Sequence, residues 1–216
     1  KKKMTNLASY VCPEGKCLRD VLLSFVEKIQ AVDCDPETGL MLLSHSDCTR
    51  EDDPLVRATR GVVVDRFGDH VLSNTPFTEE FSSPGALDVT FPLWSDAREC
   101  VILESQEGTV LRVFCYAGKW FVSTYRLLDA QKSRWMSSES FGARFQRGVV
   151  ERITASPASP ASQETIFKEQ FLHKLDPERA YVFLLRSEAS NRIVCKAPEK
   201  PCVHFLFSNA MAPKSE

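Results

Sequence analysis

The sequence has no long apolar segment, no large excess of charge and no repeated pattern of paired cysteines. None of its hydrophobic runs approaches the roughly 20 residues that a membrane-spanning helix needs, and its first residues lead into a polar stretch instead of the apolar centre of a signal peptide. The net charge of -2 at pH 7 argues against a polycationic nucleic-acid binder, although it allows a local basic groove. We therefore expect an intracellular protein that has no membrane partner.

Cysteine spacing gives little support for a structural metal or a disulfide framework. The eight cysteines are scattered, and only Cys12 and Cys17 lie close together in sequence. The four histidines are isolated from one another, so the residues needed for a zinc site are not grouped. A chain of 216 residues has room for a hydrophobic core without covalent cross-links, which favours free thiols in a reducing compartment.

The hydrophobic pattern predicts a single α+β domain over residues 1–216. Apolar residues at helical spacing predict amphipathic helices at residues 18–29 and 166–175. Short β-branched or apolar runs predict strands within residues 39–44, 55–65, 71–72, 181–185, 191–194 and 203–207. Small residues and repeated Ser-Pro pairs at about 154–164 predict a flexible insertion, because such a segment buries little apolar area.

Residues 102–125 form the centre of the predicted fold, as a strand, a tight loop, a second strand, a turn and a third strand. We expect Gly108 to give the loop its backbone freedom. Val110, Arg112 and Phe114 alternate along one face of the second strand, and Ala117-Gly118 closes a hairpin. A loop placed in this way can present a side chain to a ligand.

Two short motifs resemble the nucleotide-transfer signature of phage-type RNA ligases and their relatives, the DNA ligases and mRNA capping enzymes. The first is Ser105-Gln106-Glu107-Gly108, where the family has Lys, any residue, Asp and Gly. The second is Thr59-Arg60-Gly61, which matches an Ala-Arg-Gly that precedes an apolar strand. In the family the lysine becomes covalently attached to a nucleotide and the arginine reaches that nucleotide. Here Ser105 stands in the position of the lysine.

The resemblance continues in order along most of the chain, through Pro76-Phe77, Phe81, Trp135 and Arg192-Ile193-Val194. Phe81 matches an aromatic residue that can stack on a base. Other familial contacts are lost. A lysine is replaced by Glu79 or Glu80, which would repel phosphate, and Leu184 stands where a glutamate holds the ribose. The family's last two motifs do not occur before Glu216.

The resemblance implies an α+β nucleotidyltransferase core of twisted antiparallel sheets packed against a few helices. It implies no catalytic residue and no metal ligand, and it gives seven candidate nucleotide-binding residues: Arg60, Gly61, Phe81, Ser105, Glu107, Gly108 and Arg192. Each of them alone also has a structural explanation, such as a surface salt bridge for Arg60 or a hairpin turn for Glu107-Gly108. Their order along the chain is what supports the functional interpretation.

Three hypotheses follow from the residues and the resemblance. The first is a non-catalytic module that binds nucleotide, RNA or protein, as the N-terminal part of a longer viral protein; the chain looks like the early proteins of large DNA viruses such as iridoviruses, which act in the host cytoplasm or nucleus. The second is an active RNA ligase or guanylyltransferase that uses ATP or GTP with magnesium and whose lysine was mutated or lies elsewhere. The third is a protein-interaction scaffold without a nucleotide pocket.

Overall fold

The computed structural model describes residue 7 and residues 10–49, 51–73, 106–135, 137–156, 159–187 and 198–211. Two four-stranded antiparallel sheets and a small number of helices account for most of these residues. The predicted α+β class, with antiparallel sheets packed against a few helices, is therefore confirmed. None of the helices in the described ranges is long and apolar enough to cross a membrane.

The first sheet has the strand order β1-β2-β3-β4 and is built from neighbouring segments of the chain. Its strands are β1 (Ile29–Asp35), β2 (Leu40–His45), β3 (Arg60–Val64) and β4 (His70–Leu72). Two short helices accompany it, α1 (Leu18–Leu23) and α2 (Pro54–Ala58). Every pairing is antiparallel, so each strand follows its neighbour through a short connection or through α2.

The second sheet has the order β6-β5-β7-β8, and its members are β5 (Thr109–Tyr116), β6 (Lys119–Ser123), β7 (Arg179–Arg186) and β8 (Cys202–Ala210). A 3-10 turn at Ala130–Lys132 leads to the long helix α3 (Phe141–Thr154). Helix α4 (Pro160–Ile166) then continues through a π-helical turn at Phe167–Phe171 and a 3-10 turn at Leu172–Lys174. The helices between β6 and β7 therefore cover one face of this sheet.

The layers are stacked as helices, sheet, sheet and helices, and three hydrophobic clusters show this arrangement. One cluster joins α1 and α2 to the outer face of the first sheet. A second lies between the sheets and brings Leu42 and Val63 against Phe114 and Phe121. The third joins the second sheet to α3 and the helical segment that follows α4, around the fully buried Phe145. Both sheets are thus covered on two faces, which explains their long apolar runs.

Polar contacts at the edges fix one sheet against the other. The Lys119 ammonium at the start of β6 lies 3.0 Å from Asp35 and 2.6 Å from Glu37, at the β1–β2 turn. The carboxylate of Asp33 accepts a hydrogen bond of 2.7 Å from the Leu128 amide. These contacts join distant parts of the sequence and hold the start of β6 and the segment that follows β6 beside the first sheet.

The long helix predicted at residues 18–29 is wrong in its second half. Helix α1 ends at Leu23, where the Ser24 hydroxyl donates a 2.7 Å bond to the Val21 carbonyl. Val26 is 81% exposed, and Ile29 starts β1 with its side chain buried. Beyond Leu23 the helical spacing of the apolar residues does not correspond to a helix, because Ile29 pairs with β2 as the first residue of β1.

Two further helices replace structure that the sequence predicted differently. Residues 54–58 are helical and do not form the beginning of β3, because Pro54 occupies the first turn and the Asp53 carboxylate caps the Leu55 amide. Helix α4 begins at Pro160, inside the segment predicted as a flexible insertion, with the Ser159 hydroxyl accepting from the Ser162 amide. The strand predicted at 191–194 and the first strand of the 102–125 stretch lie outside the described residues.

The hairpin around Ala117-Gly118 and the strands predicted within residues 39–44, 71–72, 181–185 and 203–207 are confirmed. Gly108 has a different function from the one expected. Its φ is not positive, and a Cβ added there would lie 2.5 Å from the Leu185 carbonyl oxygen of β7. Glycine at this position therefore allows close packing between strands, not a left-handed loop. None of the six described cysteines pairs with another of them in a disulfide.

Candidate functional site

A β-bulge at the start of β3 sets the direction of Arg60. Leu43 pairs with Val62, but Ser44 pairs with Arg60, so Gly61 is an extra residue in β3. Gly61 has φ +73°, a conformation that suits glycine. Regular alternation would put Arg60 on the helix-covered face with Val62. The bulge instead allows its guanidinium to lie 4.9 Å from the centre of the Tyr125 ring, which belongs to the loop after β6.

Arg112 of β5 holds the backbone at this point from the inside. Its guanidinium is fully buried and donates hydrogen bonds to the Gly61 carbonyl and, at 2.7 Å, to the Thr124 carbonyl. Burial lowers the pKa of Arg112 to about 10, so the side chain remains a cation at neutral pH. One buried arginine therefore ties the bulge of the first sheet to the end of β6.

Thr124 holds the loop after β6 through both its hydroxyl and its amide. Thr124 accepts hydrogen bonds from the amides of Arg126, at 3.1 Å, and Leu127, at 3.0 Å. Its own amide donates to the Leu127 carbonyl at 2.9 Å. This tight loop leaves Tyr125 and Arg126 exposed, and the Arg126 guanidinium lies 5.8 Å from the centre of the Tyr125 ring. The exposed guanidinium groups of Arg60 and Arg126 therefore both lie close to the ring of Tyr125.

These two arginines line a cleft of about 270 Å³ where the ends of β2, β3 and β6 meet. We call it the arginine cleft, and the described residues that line it are Ser44, His45, Cys48, Arg60, Tyr125 and Arg126. No carboxylate is among them. Within the described part of the chain, no acidic side chain lies within salt-bridge distance of Arg60 or Arg126. The positive charge of the cleft is therefore free to attract an anion.

His45 has unusual surroundings for a half-buried histidine. Its amide donates to the Thr59 carbonyl at 2.9 Å, but both ring nitrogens are shielded from solvent and have no hydrogen-bond partner among the described residues. Burial lowers the pKa of His45 below its ordinary value, and the charges of Arg60 and Arg126 lower it further. Both effects therefore favour the neutral form of the imidazole.

The nearby acidic residues are partly neutralised by other partners. Asp52 accepts from the Thr49 amide at 2.6 Å and lies 3.0 Å from the Lys28 ammonium. The Thr49 hydrogen bond and the Lys28 contact lower the pKa of Asp52. Asp47 and Asp52 only partly oppose the effect of the arginines on His45. The electrostatic character of the arginine cleft remains positive.

The side chains of the arginine cleft suit an anion and do not suit a magnesium ion. Guanidinium groups donate hydrogen bonds to phosphate oxygens, whereas magnesium is bound through carboxylate and phosphate oxygens. Across the described ranges, no three His, Cys, Asp or Glu side chains gather into a set that could hold a metal ion. We therefore derive no chemical step through magnesium at this site.

The structure places the four predicted site residues that it describes in two parts of the fold. Arg60 lines the arginine cleft, and Gly61 shapes it. Glu107 and Gly108 precede β5 and do not line the cleft, while Leu184 is buried in β7, opposite Val110. Phe81, Ser105 and Arg192 lie outside the described residues, as do Glu79 and Glu80.

Of the described residues that line the arginine cleft, the sequence predicted Arg60 alone as a site residue and missed five others: Ser44, His45, Cys48, Tyr125 and Arg126. Tyr125 is the last residue of the predicted 102–125 stretch and Arg126 follows it, which is a weak signal that their side chains lie at a sheet end. His45 follows an apolar strand and gives no comparable signal. Their association depends on contacts between two sheets that the sequence pattern does not encode.

Comparisons with known proteins reveal viral relatives. The chain is 30% identical over 156 residues to the immediate-early protein ICP-46 homologue of Invertebrate iridescent virus 6, covering 70% of this chain and 33% of that protein. It is 32% identical over 111 residues to the homologue of Invertebrate iridescent virus 3, covering 51% and 22%. For ICP-46 of Frog virus 3 (isolate Goorha), the identity is 25% over 108 residues, covering 48% and 26%.

The chain thus spans about a third of the length of these relatives or less. No protein-family profile matches it. Among solved structures, a protein assigned as an ATP-dependent DNA ligase of Aquifex aeolicus aligns with a TM-score of 0.39 and 13% identity, over 89% of this chain and 42% of that one. This likeness is too distant to support an argument. The sequence matches show that the chain is similar to immediate-early proteins of iridoviruses.

Proposed function

We propose that this chain is a non-catalytic module that binds the phosphates of nucleotides or RNA, within a longer viral early protein. The observation that carries the proposal is the arginine cleft, where Arg60 and Arg126 flank Tyr125 beside the unpartnered ring of His45. The ordered ligase-like motifs and the similarity to immediate-early proteins support it. Arg60 is the residue that the motifs and the geometry both indicate.

The two exposed arginines suit phosphate recognition for physical reasons. A guanidinium presents a planar set of N–H donors that fits phosphate oxygens, and it remains charged at every physiological pH. Tyr125 supports both side chains by cation–π contact, which reduces the freedom they lose on binding. The two guanidinium groups are therefore already positioned for an anion in the free protein.

The size of the arginine cleft favours a backbone phosphate of a polynucleotide over a complete nucleoside triphosphate. Its volume of about 270 Å³ lies just under the range of about 300–1,000 Å³ that is usual for small-molecule sites. Both arginine side chains are exposed, so a ligand can extend across the surface beyond the cleft. We infer that single-stranded RNA is the ligand class, with the cleft contacting its backbone.

The proposed absence of catalysis rests on the motif position of Ser105. A lysine amine attacks the α-phosphorus of the nucleotide, displaces pyrophosphate and forms a phosphoramidate bond, whereas a serine hydroxyl has no amine to form that bond. Incubation with α-labelled ATP or GTP and magnesium should leave no label on the denatured protein, beside an active ligase as a positive control. Acid-labile label on the protein would overturn the proposal and support the alternative of an active nucleotidyltransferase.

RNA binding is tested by fluorescence anisotropy with a short labelled single-stranded RNA at several salt concentrations. Arg60→Ala and Arg126→Ala should each weaken binding about tenfold, corresponding to roughly 1.4 kcal/mol. Each should also reduce the slope of log K against log salt by about 0.7, because one phosphate contact is lost. If neither variant changes an existing RNA affinity, the cleft is not the binding site and a protein-interaction scaffold becomes the better explanation.

Arg66 provides a matched control for these variants. Its guanidinium lies 4.7 Å from the centre of the Phe67 ring, which is 60% exposed, and the residue is far from the arginine cleft in the β3–β4 turn. Arg66→Ala removes the same charge and the same kind of ring contact. We expect its RNA affinity and salt slope to match those of the unmodified protein. An equal loss in all three variants would indicate a general charge effect.

A further inference from the structure

We propose that His45 is a ligand-contacting residue of the arginine cleft, which takes up a proton when RNA binds and donates a hydrogen bond to a phosphate oxygen. This inference rests on the proposed function and deepens it, since it assigns a specificity-determining group to the same site. Its starting point is geometric. Both ring nitrogens of His45 lack a hydrogen-bond partner within the described protein, although the ring lines a cleft with two cations.

Buried polar groups in proteins are nearly always hydrogen-bonded, and leaving one without a partner destabilises the folded state. Arg60 and Arg126 can only donate hydrogen bonds, so neither can accept one from the N–H of a neutral imidazole. A phosphate oxygen supplies an acceptor of opposite charge. Because both ring nitrogens are shielded in the free protein, the proposed contact requires the half-buried ring to turn about its Cβ–Cγ bond when phosphate binds.

The charges facing His45 predict that binding changes its protonation. Arg60 on β3 and Arg126 after β6 disfavour the imidazolium, while Asp47 and Asp52 in the loop after β2 favour it less strongly; Cys48 and Tyr125 also line the cleft. A bound phosphate adds negative charge at the arginines and cancels part of their effect. The pKa of His45 therefore rises from its lowered value in the free protein, and a proton moves from the buffer to the ring.

The difference between the pKa of His45 in the free and in the RNA-bound protein determines whether RNA affinity rises or falls with pH. The RNA-bound state holds more protons than the free state, so affinity rises as pH falls through the pKa of bound His45. The rise ends when the free protein is itself protonated, below the ordinary histidine value of 6.5. For each unit by which the two pKa values differ, the affinity changes about tenfold.

Isothermal titration calorimetry in two buffers of different ionisation enthalpy tests the proposal. The probe is a short single-stranded RNA without terminal phosphates, because a terminal phosphate titrates near pH 6 whereas internal phosphodiesters do not. We expect uptake of a fraction of a proton per RNA bound at pH 7. His45→Gln keeps a donor amide that does not titrate, so it should bind RNA with no proton uptake and a flat pH profile.

His204 supplies the matched control, because it is an exposed histidine on β8, away from the arginine cleft. His204→Gln should leave proton uptake unchanged. RNA binding without proton uptake in the unmodified protein would overturn the role of His45 and leave the proposed function standing. No RNA binding at all would overturn both proposals. Uptake that persists in His45→Gln would show that another group takes the proton.

Discussion

Arg112 and Arg60 lie on opposite sides of the backbone around Gly61 and Thr124. Arg112 contacts the carbonyls of Gly61 and Thr124 from the interior, and Arg60 lies over the Tyr125 ring on the outside. Arg112 is fully buried, and its hydrogen bonds go to two main-chain carbonyls. Arg60 is exposed, and its described contact is with an aromatic ring. The interior contact fixes the geometry of the cleft, while the outer one leaves donors available to a ligand.

The comparison separates stability from binding. A buried group that is already bonded has little left to offer a ligand, and removing it exposes its partners to an apolar interior. An exposed cation contributes little to folding but retains its capacity to bind an anion. We therefore expect substitutions on the inner side to lower stability and those on the outer side to lower affinity.

The largest expected effect is that of Arg112→Met. The carbonyls of Gly61 and Thr124 would lose their donor, at a cost of about 2–4 kcal/mol in the free energy of unfolding. Urea denaturation followed by circular dichroism measures this change, with Arg66→Met as an exposed control that should stay within about 0.5 kcal/mol. Equal midpoints for the two variants would show that Arg112 does not anchor the sheets.

His70 tests what burial alone does to a histidine that lies away from the arginine cleft. Burial lowers the pKa of His70 to about 4, against 6.5 for an ordinary histidine. Because the unfolded chain binds the proton more readily, stability is complete above pH 6.5 and falls as the pH drops towards 4, by roughly 2–3 kcal/mol. Urea midpoints measured across this range should show the loss, and His70→Gln should flatten it.

Gly61→Ala tests the bulge that directs Arg60. The added methyl group would lie 2.7 Å from the Tyr125 Cα, in a residue whose φ is already +73°. We expect a loss of about 1–3 kcal/mol in stability and weaker RNA binding, because strain and contact act together. Gly118→Ala is the control, since Gly118 has φ +79° with open space around it. Equal losses of stability in the two variants would show that the contact between the added methyl group and Tyr125 does not destabilise the protein.

The smallest expected effect on folding is that of Arg60→Ala or Arg126→Ala. Each removes one exposed cation–π contact with Tyr125, worth at most about 0.5–1 kcal/mol. Thermal unfolding at pH 7 should therefore place both variants close to the unmodified protein while their RNA affinity falls. A large drop in stability would mean that these side chains hold the loop, and the distinction between inner and outer arginines would fail.

Local sequence signals predicted elements where the hydrophobic period and a turn agreed. The β5–β6 hairpin was foreseen because Ala117-Gly118 separates two runs whose pattern suits strands. The helix predicted at 18–29 failed because Ile29 and its neighbours pair with β2 instead. Gly108 was identified for the wrong reason, since only the packed sheet reveals its close approach to Leu185. Long-range pairing overrode local preference in both cases.

By itself, the sequence determined the α+β class, most strands of the two sheets and the candidacy of Arg60, because these follow from periodicity and from short ordered motifs. The tertiary structure alone decided that Arg60 meets Tyr125, Arg126 and His45. Those residues come from the ends of β2 and β3 and from the loop after β6, and their meeting requires the bulge at Gly61 and the buried bonds of Arg112. The arginine cleft forms only when the two sheets pack together, and a local sequence pattern does not determine how they pack.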